Sequence, residues 1–176
     1  MDSLYSWHLL LTGIGFHLIM PIGISSLRVQ QLLPCWSCSR KTVHWLLQSV
    51  ASACVLIGVV LQYINREMKH KHHFTTVHSI VGLLSVVLVV VSLVGGVVAL
   101  SGWEVRKLVS TVWLYRVHRA VGTAAFLAGM VTLALAYEKR NFKKSFSKET
   151  RFALTIATGI AVVITLLGVF KKFTSF

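Results

Sequence analysis

Charge is scarce in this chain, and most of it carries one sign. Of 176 residues only 13% are charged, while 55% are hydrophobic, and the mean hydropathy is +0.73. A soluble domain of this length needs a far larger charged surface, so the composition assigns the chain to the membrane class. Asp and Glu number 5 against 18 Lys and Arg, giving a net charge of +13. The five carboxylates, Asp2, Glu67, Glu104, Glu138 and Glu149, stand at the ends of apolar runs or between them. Cysteine is as sparse, at 3. Cys35 and Cys38 form "CWSC", but no second pair exists to complete a four-ligand zinc site, so this reads as an incidental or acylated loop.

The positive excess is not a nucleic-acid footprint. Lysines and arginines gather in short segments between apolar runs, where they meet lipid headgroups, and "EKRNFKKSFSKETR" is the densest such segment. The N-terminus lacks a basic n-region and an A-x-A site, so no removable signal peptide is expected.

Long apolar sequence is what the chain has in abundance. Five runs, at about 4–24, 42–64, 77–100, 112–137 and 152–170, are long enough to cross a hydrocarbon core of roughly 30 Å. Backbone groups must pair internally in lipid, and the runs show no period-2 alternation, which excludes a barrel. The expected fold is an all-α membrane protein, a single transmembrane helical bundle over residues 1–176.

Helices joined by short loops alternate in direction. With the N-terminus on side A, segments 65–76 and 138–151 also lie on A, while 25–41, 101–111 and the C-terminus lie on side B. The 18 basic residues divide evenly between the sides, so charge alone does not orient the chain.

Histidines recur just inside four of the runs, in "SLYSWHLLL", "KTVHWLLQS", "FTTVHSIVG" and "LYRVHRAVG", as His8, His44, His78 and His118. The alternation puts His8 and His78 at similar depth near A, and His44 and His118 at similar depth near B. Ionisable side chains inside the membrane are costly and mark functional sites. Two histidines are too few for a closed zinc site but suit the two axial positions of a haem iron. Gly82 and Gly122 follow His78 and His118 by four residues, and Gly13 follows His8 by five, leaving room for a macrocycle. Small residues at such positions also let helices approach closely with no cofactor. At 1.5 Å rise per residue, the two irons would lie on the order of 20 Å apart along the membrane normal. The expected core is therefore four helices around two haems, acting as an electron conduit.

These residues resemble a known family. "HFTTVHSIVG" is similar to the haem-ligand segment of the cytochrome b561 family, and "SRKTVHWLLQ" and "LYSWH" resemble its neighbouring ligand segments. The resemblance is to the domain-containing transmembrane reductase branch, and it extends from about Ser6 into the fifth run. It implies two non-covalent b-type haems, ligated by His8 with His78 and by His44 with His118. The absence of a C-x-x-C-H attachment motif agrees. The family usually has six helices, and this chain resembles it from the second onward. Its first ligand histidine is often followed by proline, where Leu9 stands here.

The resemblance further implies ascorbate as donor, held near Arg40, Lys41 and Arg116 on a cytoplasmic side B. It implies monodehydroascorbate or a ferric chelate as acceptor near His73 and Phe74 on side A. A multi-pass protein of an endomembrane, in contact with lipid and able to form a homodimer, is the expected setting. His17, in the middle of the first run, reads as a hydrogen-bonded core residue. Three other functions fit these residues less well. An intramembrane-histidine metal-ion or proton transporter calls for carboxylates inside the spans, which this sequence lacks. A di-iron hydroxylase needs several H-x-x-H-H-like clusters, and "HKHH" is one with the wrong spacing. A purely structural bundle leaves the four matched histidines without a role.

Overall fold

The computed structural model describes residues 3–27, 39–100 and 110–173, with side chains up to residue 169. Among the described residues there is no strand, and five helices are long and apolar enough to cross a membrane. These are α1 (Ser3–Ser25), α2 (Arg40–Glu67), α3 (Val77–Leu100), α4 (Thr111–Tyr137) and α6 (Lys148–Phe173), with a short α5 (Arg140–Ser145) between the last two. The five runs read from hydropathy are these five helices. Cys35 and Cys38 lie outside the described residues.

Two boundaries extend beyond the apolar runs because polar residues cap them. Ser39 Oγ accepts from the Thr42 N–H at 3.1 Å, which starts α2 before its apolar run begins. Ser147 Oγ accepts from the Thr150 N–H at 3.2 Å, so α6 begins at Lys148 rather than near residue 152. Hydropathy also gave no sign of α5, whose position is fixed by one apolar side chain. Phe142 is buried, and its ring centroid lies 5.3 Å from that of Tyr137 and 4.4 Å from that of Phe146.

The first helix is not regular. Residues Ile14–Ile19 form a π-helical turn, and α-helical geometry resumes at Met20 with Pro21 in its first turn. Proline supplies no N–H to the carbonyl four residues back, which here is that of His17, so the widened turn sits where the hydrogen-bond ladder is interrupted. Single π turns of this kind occur often at functional positions.

The bundle is built from two antiparallel pairs. α1 packs on α2 and α3 packs on α4, while α6 lies against α4 and the C-terminal part of α1. Lipid tails are as apolar as the helix faces, so burial gives the helices no drive to associate and close packing at small residues helps hold them together. Gly129 shows this most sharply. A Cβ built there would fall 2.1 Å from Phe16 Cε1, so the Phe16 ring of α1 lies directly on the α4 backbone. Phe16, Met20, Val55, Val89, Phe126, Met130 and Leu133 form the core around this contact. The outer faces carry exposed Val, Leu and Ile, such as Val87, Val91 and Val94 of α3, as a lipid-facing surface requires.

Candidate functional site

All four sequence-selected histidines are half-buried on faces turned toward neighbouring helices. His8 Nδ1 of α1 lies 3.0 Å from the Gly58 carbonyl of α2. His44 Nδ1 of α2 returns the contact, 2.7 Å from the Gly23 carbonyl of α1. His78 Nδ1 of α3 lies 2.9 Å from the Thr132 carbonyl of α4. A carbonyl only accepts, so each Nδ1 carries the proton and donates it, which puts the ring's lone pair on Nε2. A metal-binding imidazole is arranged in this way, with its other N–H given to a carbonyl that fixes tautomer and ring orientation.

For His8 and His44 the helices come close enough for these bonds because glycine supplies the accepting carbonyl. A Cβ at Gly58 would lie 3.0 Å from Thr12 Cγ2, and one at Gly23 would lie 2.7 Å from Gln48 Nε2. His118 differs from the other three. Its ring rests on two α3 glycines, since a Cβ at Gly96 would sit 3.3 Å from its Cε1 and one at Gly95 3.6 Å from its Nδ1. Its Nδ1 is buried and makes no hydrogen bond of ordinary geometry.

The rings of His44 and His118 face each other near side B, with centroids 6.4 Å apart and planes at 89°. His8 and His78 line one cavity of about 1540 Å³, whose wall takes residues from all five spans. That volume exceeds the roughly 300–1,000 Å³ usual for a ligand pocket. Gly13, also on its wall, has nothing within 4 Å of a built Cβ and so faces open space. Gly82 lines the same cavity as His8 and His78, and Gly82 and Gly122 also face neighbouring helices. Built Cβ atoms there would meet Thr132 Cγ2 at 3.2 Å and Ser92 Oγ at 3.0 Å, so both serve the close approach of α3 and α4.

His17 is a hydrogen-bonded core residue, as its position suggests. Its Nε2 lies 2.7 Å from Thr158 Oγ1 and 2.9 Å from Tyr137 Oη, and those two oxygens are 3.0 Å apart. The triangle ties α1, α4 and α6 together beside the cavity. No sequence signal points to it, because its members are more than a hundred residues apart in two of the three contacts.

At the side A mouth, His73 stacks on Tyr63 with centroids 4.2 Å apart and is 2.7 Å from Glu67 Oε1. Phe74 follows with φ of 53°, a left-handed conformation that is strained for a bulky residue. Both line the cavity, whereas His70 and His72 are exposed in the turn. On side B, Arg40, Lys41 and Arg116 are exposed at the end that holds His44 and His118. Among the described residues, no group of three or more His, Cys, Asp or Glu gathers at metal-binding distance. Each histidine pair therefore offers two ligands, which suits a metal that brings its remaining ligands with it.

Comparison with known proteins agrees with this geometry. Residues 7–144 match the family model described as eukaryotic cytochrome b561. The chain is 33% identical over 142 residues to the transmembrane reductase CYB561D2 of Mus musculus, covering 76% of this chain and 61% of the relative. The Homo sapiens CYB561D2 gives the same figures, 33% over 142 residues with 76% and 61% covered. The plasma membrane ascorbate-dependent reductase CYBRD1 of Mus musculus is 30% identical over 167 residues, with 90% of this chain and 57% of the relative covered. The chain thus spans about three fifths of the length of these relatives. A family model matched over residues 7–144, by a bundle with five helices long and apolar enough to cross a membrane, places this protein in the eukaryotic cytochrome b561 family.

Proposed function

We propose that this chain is the membrane core of a di-haem b oxidoreductase. It would take single electrons from ascorbate on a cytoplasmic side B and deliver them to monodehydroascorbate or a ferric chelate on side A. His8 with His78, and His44 with His118, would hold two non-covalent b haems. We place it in an endomembrane, in lipid contact and competent to dimerise, as the family resemblance implies.

The observation that carries this reading is the separation of His44 from His118. The two rings meet near side B with centroids 6.4 Å apart, so His44 and His118 could together hold one haem. The donor set fits too, since Nδ1 is given to carbonyls in three of the four histidines and Nε2 remains to bind. Haem b, when bound, supplies a one-electron couple of its iron.

The protein's own residues do the rest. The carbonyls of Gly58, Gly23 and Thr132 fix ring orientation. The apolar span keeps water from the path. Arg40, Lys41 and Arg116 present positive charge to an anionic donor at side B, and His73 with Phe74 forms the rim at side A. CYB561D2 is named a transmembrane reductase and CYBRD1 an ascorbate-dependent reductase, which supports the same assignment.

The test is an ascorbate-reduced minus oxidised visible spectrum of the purified protein in detergent, with haem quantified per chain. Two b-type haems per chain, lost one at a time as either histidine pair is replaced, are expected. A folded, colourless protein would overturn the reading.

A further inference from the structure

Three residues on one face of the last turns of α2 grip the chain that follows it. Tyr63, Arg66 and Glu67 stand at positions i, i+3 and i+4. Arg66 donates to the His72 carbonyl through both Nε, at 3.1 Å, and Nη2. Glu67 Oε1 lies 2.7 Å from His73 Nε2, and the His73 ring stacks on Tyr63 with planes at 21°. Phe74 packs on the same ring, with centroids 5.9 Å apart. His73 is therefore half-buried, while its neighbours in the turn from His70 to Thr76 are exposed.

An ionised carboxylate only accepts, so His73 Nε2 carries a proton and donates it to Glu67. Nδ1 is then the nitrogen left to take up or release a proton. Arg66, Lys139 and Arg140 line the same cavity as His73, so Glu67 is the carboxylate that offsets their charge at its ring. The two acceptors named above differ in what they require. A ferric chelate takes an electron alone, whereas monodehydroascorbate, a radical anion, takes one electron and one proton to become the ascorbate monoanion.

We propose that Glu67 is a positioning residue for the acceptor reaction, holding His73 so that its Nδ1–H can be given to monodehydroascorbate. This rests on the reductase reading above and deepens it. In the step, one electron arrives across the span, the His73 Nδ1–H bond breaks and an O–H bond forms on the acceptor. The radical anion is reduced to ascorbate, and His73, left neutral, is reprotonated from water at side A. Glu67 does not line the cavity, and it acts through His73.

The test uses the haem-loaded full chain in nanodiscs, reduced and then mixed with monodehydroascorbate or with ferricyanide, which takes no proton. General acid catalysis contributes roughly 100- to 10,000-fold, and loss of the partner that orients the acid should forfeit about tenfold of it. Glu67→Ala should slow oxidation by monodehydroascorbate by that factor and leave the ferricyanide rate unchanged. Glu67→Gln, whose amide oxygen still accepts from Nε2, should recover most of the loss. On the protein without haem, nitrogen NMR shifts of the His73 ring should report Nε2–H in the unaltered chain and in Glu67→Gln. Glu67→Ala should instead give a mixture of tautomers. An exposed pair adds little stability, so unaltered melting temperatures are expected and show that the variants fold. Equal slowing with both acceptors, or with neither, would overturn the proposal. So would unchanged ring shifts in Glu67→Ala, or a Glu67→Gln variant as slow as Glu67→Ala. A chain that binds no haem would overturn the reductase reading instead, and the ring shifts separate the two failures.

Discussion

His44 on α2 and His118 on α4 stand with ring centroids 6.4 Å apart and planes at 89°, although 73 residues separate them in sequence. His44 is anchored to the Gly23 carbonyl, while His118 rests on Gly95 and Gly96 with no ordinary hydrogen bond to its Nδ1. One ring of the pair is thus clamped by a short hydrogen bond, and the other rests on the two glycines.

That asymmetry predicts how the two histidines respond to replacement. His44→Ala and His118→Ala should each remove about half of the b-type absorbance, and His8→Ala or His78→Ala should remove the other half. Adding imidazole should restore the His118→Ala signal more readily, because no carbonyl anchor is lost with that ring. Absorbance per chain, measured by pyridine haemochrome, decides it. Loss of all haem from one single replacement in a folded protein would contradict two independent pairs.

Gly129→Ala should be among the most damaging single-methyl changes in the bundle. Its new Cβ would fall 2.1–2.5 Å from the Phe16 ring, and overpacking of this kind costs about 1–3 kcal/mol. The melting temperature should fall, and Phe16→Leu should recover part of the loss. A double variant no better than the sum of the two singles would place the damage elsewhere.

The His17–Tyr137–Thr158 triangle should behave as one unit. Tyr137→Phe and Thr158→Val should each destabilise by about 1–2 kcal/mol, because partners are left buried and unsatisfied. A double-mutant cycle should return a coupling of about 0.5–3 kcal/mol. Strict additivity would mean that the hydroxyls act separately.

Thr165 should show the opposite sign. Thr12, Thr123, Thr132, Thr155 and Thr158 each donate to the carbonyl four residues back, but Thr165 Oγ1 is buried with no hydrogen-bond partner. Replacing an unsatisfied buried hydroxyl by a methyl of the same shape removes a desolvation penalty, so Thr165→Val should raise stability by about 1 kcal/mol. Thermal melting of the two valine variants side by side gives the comparison, and a lower melting point for Thr165→Val would count against it.

Acid should weaken the α5 corner. A hydrogen bond from Lys143 first, and then the charges of Lys143 and Arg151, hold the Glu138 carboxyl below its ordinary value. A carboxylate depressed on folding stabilises fully above its unfolded pKa, and the contribution is lost as pH falls through the lower folded value. Melting temperature should therefore decline below the ordinary glutamate range, and Glu138→Gln should remove that part of the decline. The group is exposed, so the effect should shrink in high salt.

Hydrophobicity is a local property, and the sequence by itself therefore determined the number of spans and most of their limits. Short connections then required alternating direction, which put His8 level with His78 and His44 level with His118 before any contact was known. The glycine spacing told only part of the story, since Gly82 lines the cavity of His8 and His78 and also meets a neighbouring helix. Gly82 and Gly122 sit one turn from their histidines, yet they abut Thr132 and Ser92 of the facing helices. Sequence distance along a helix gives the face a residue occupies but not what that face meets. Tertiary structure alone decided how each helix is rotated about its axis, and so which carbonyls receive the histidine N–H groups. It also decided that His17 would find Thr158 across 141 residues. Insertion into lipid depends on composition summed along a segment, whereas a hydrogen bond or a charge cluster depends on packing between segments that no local pattern records.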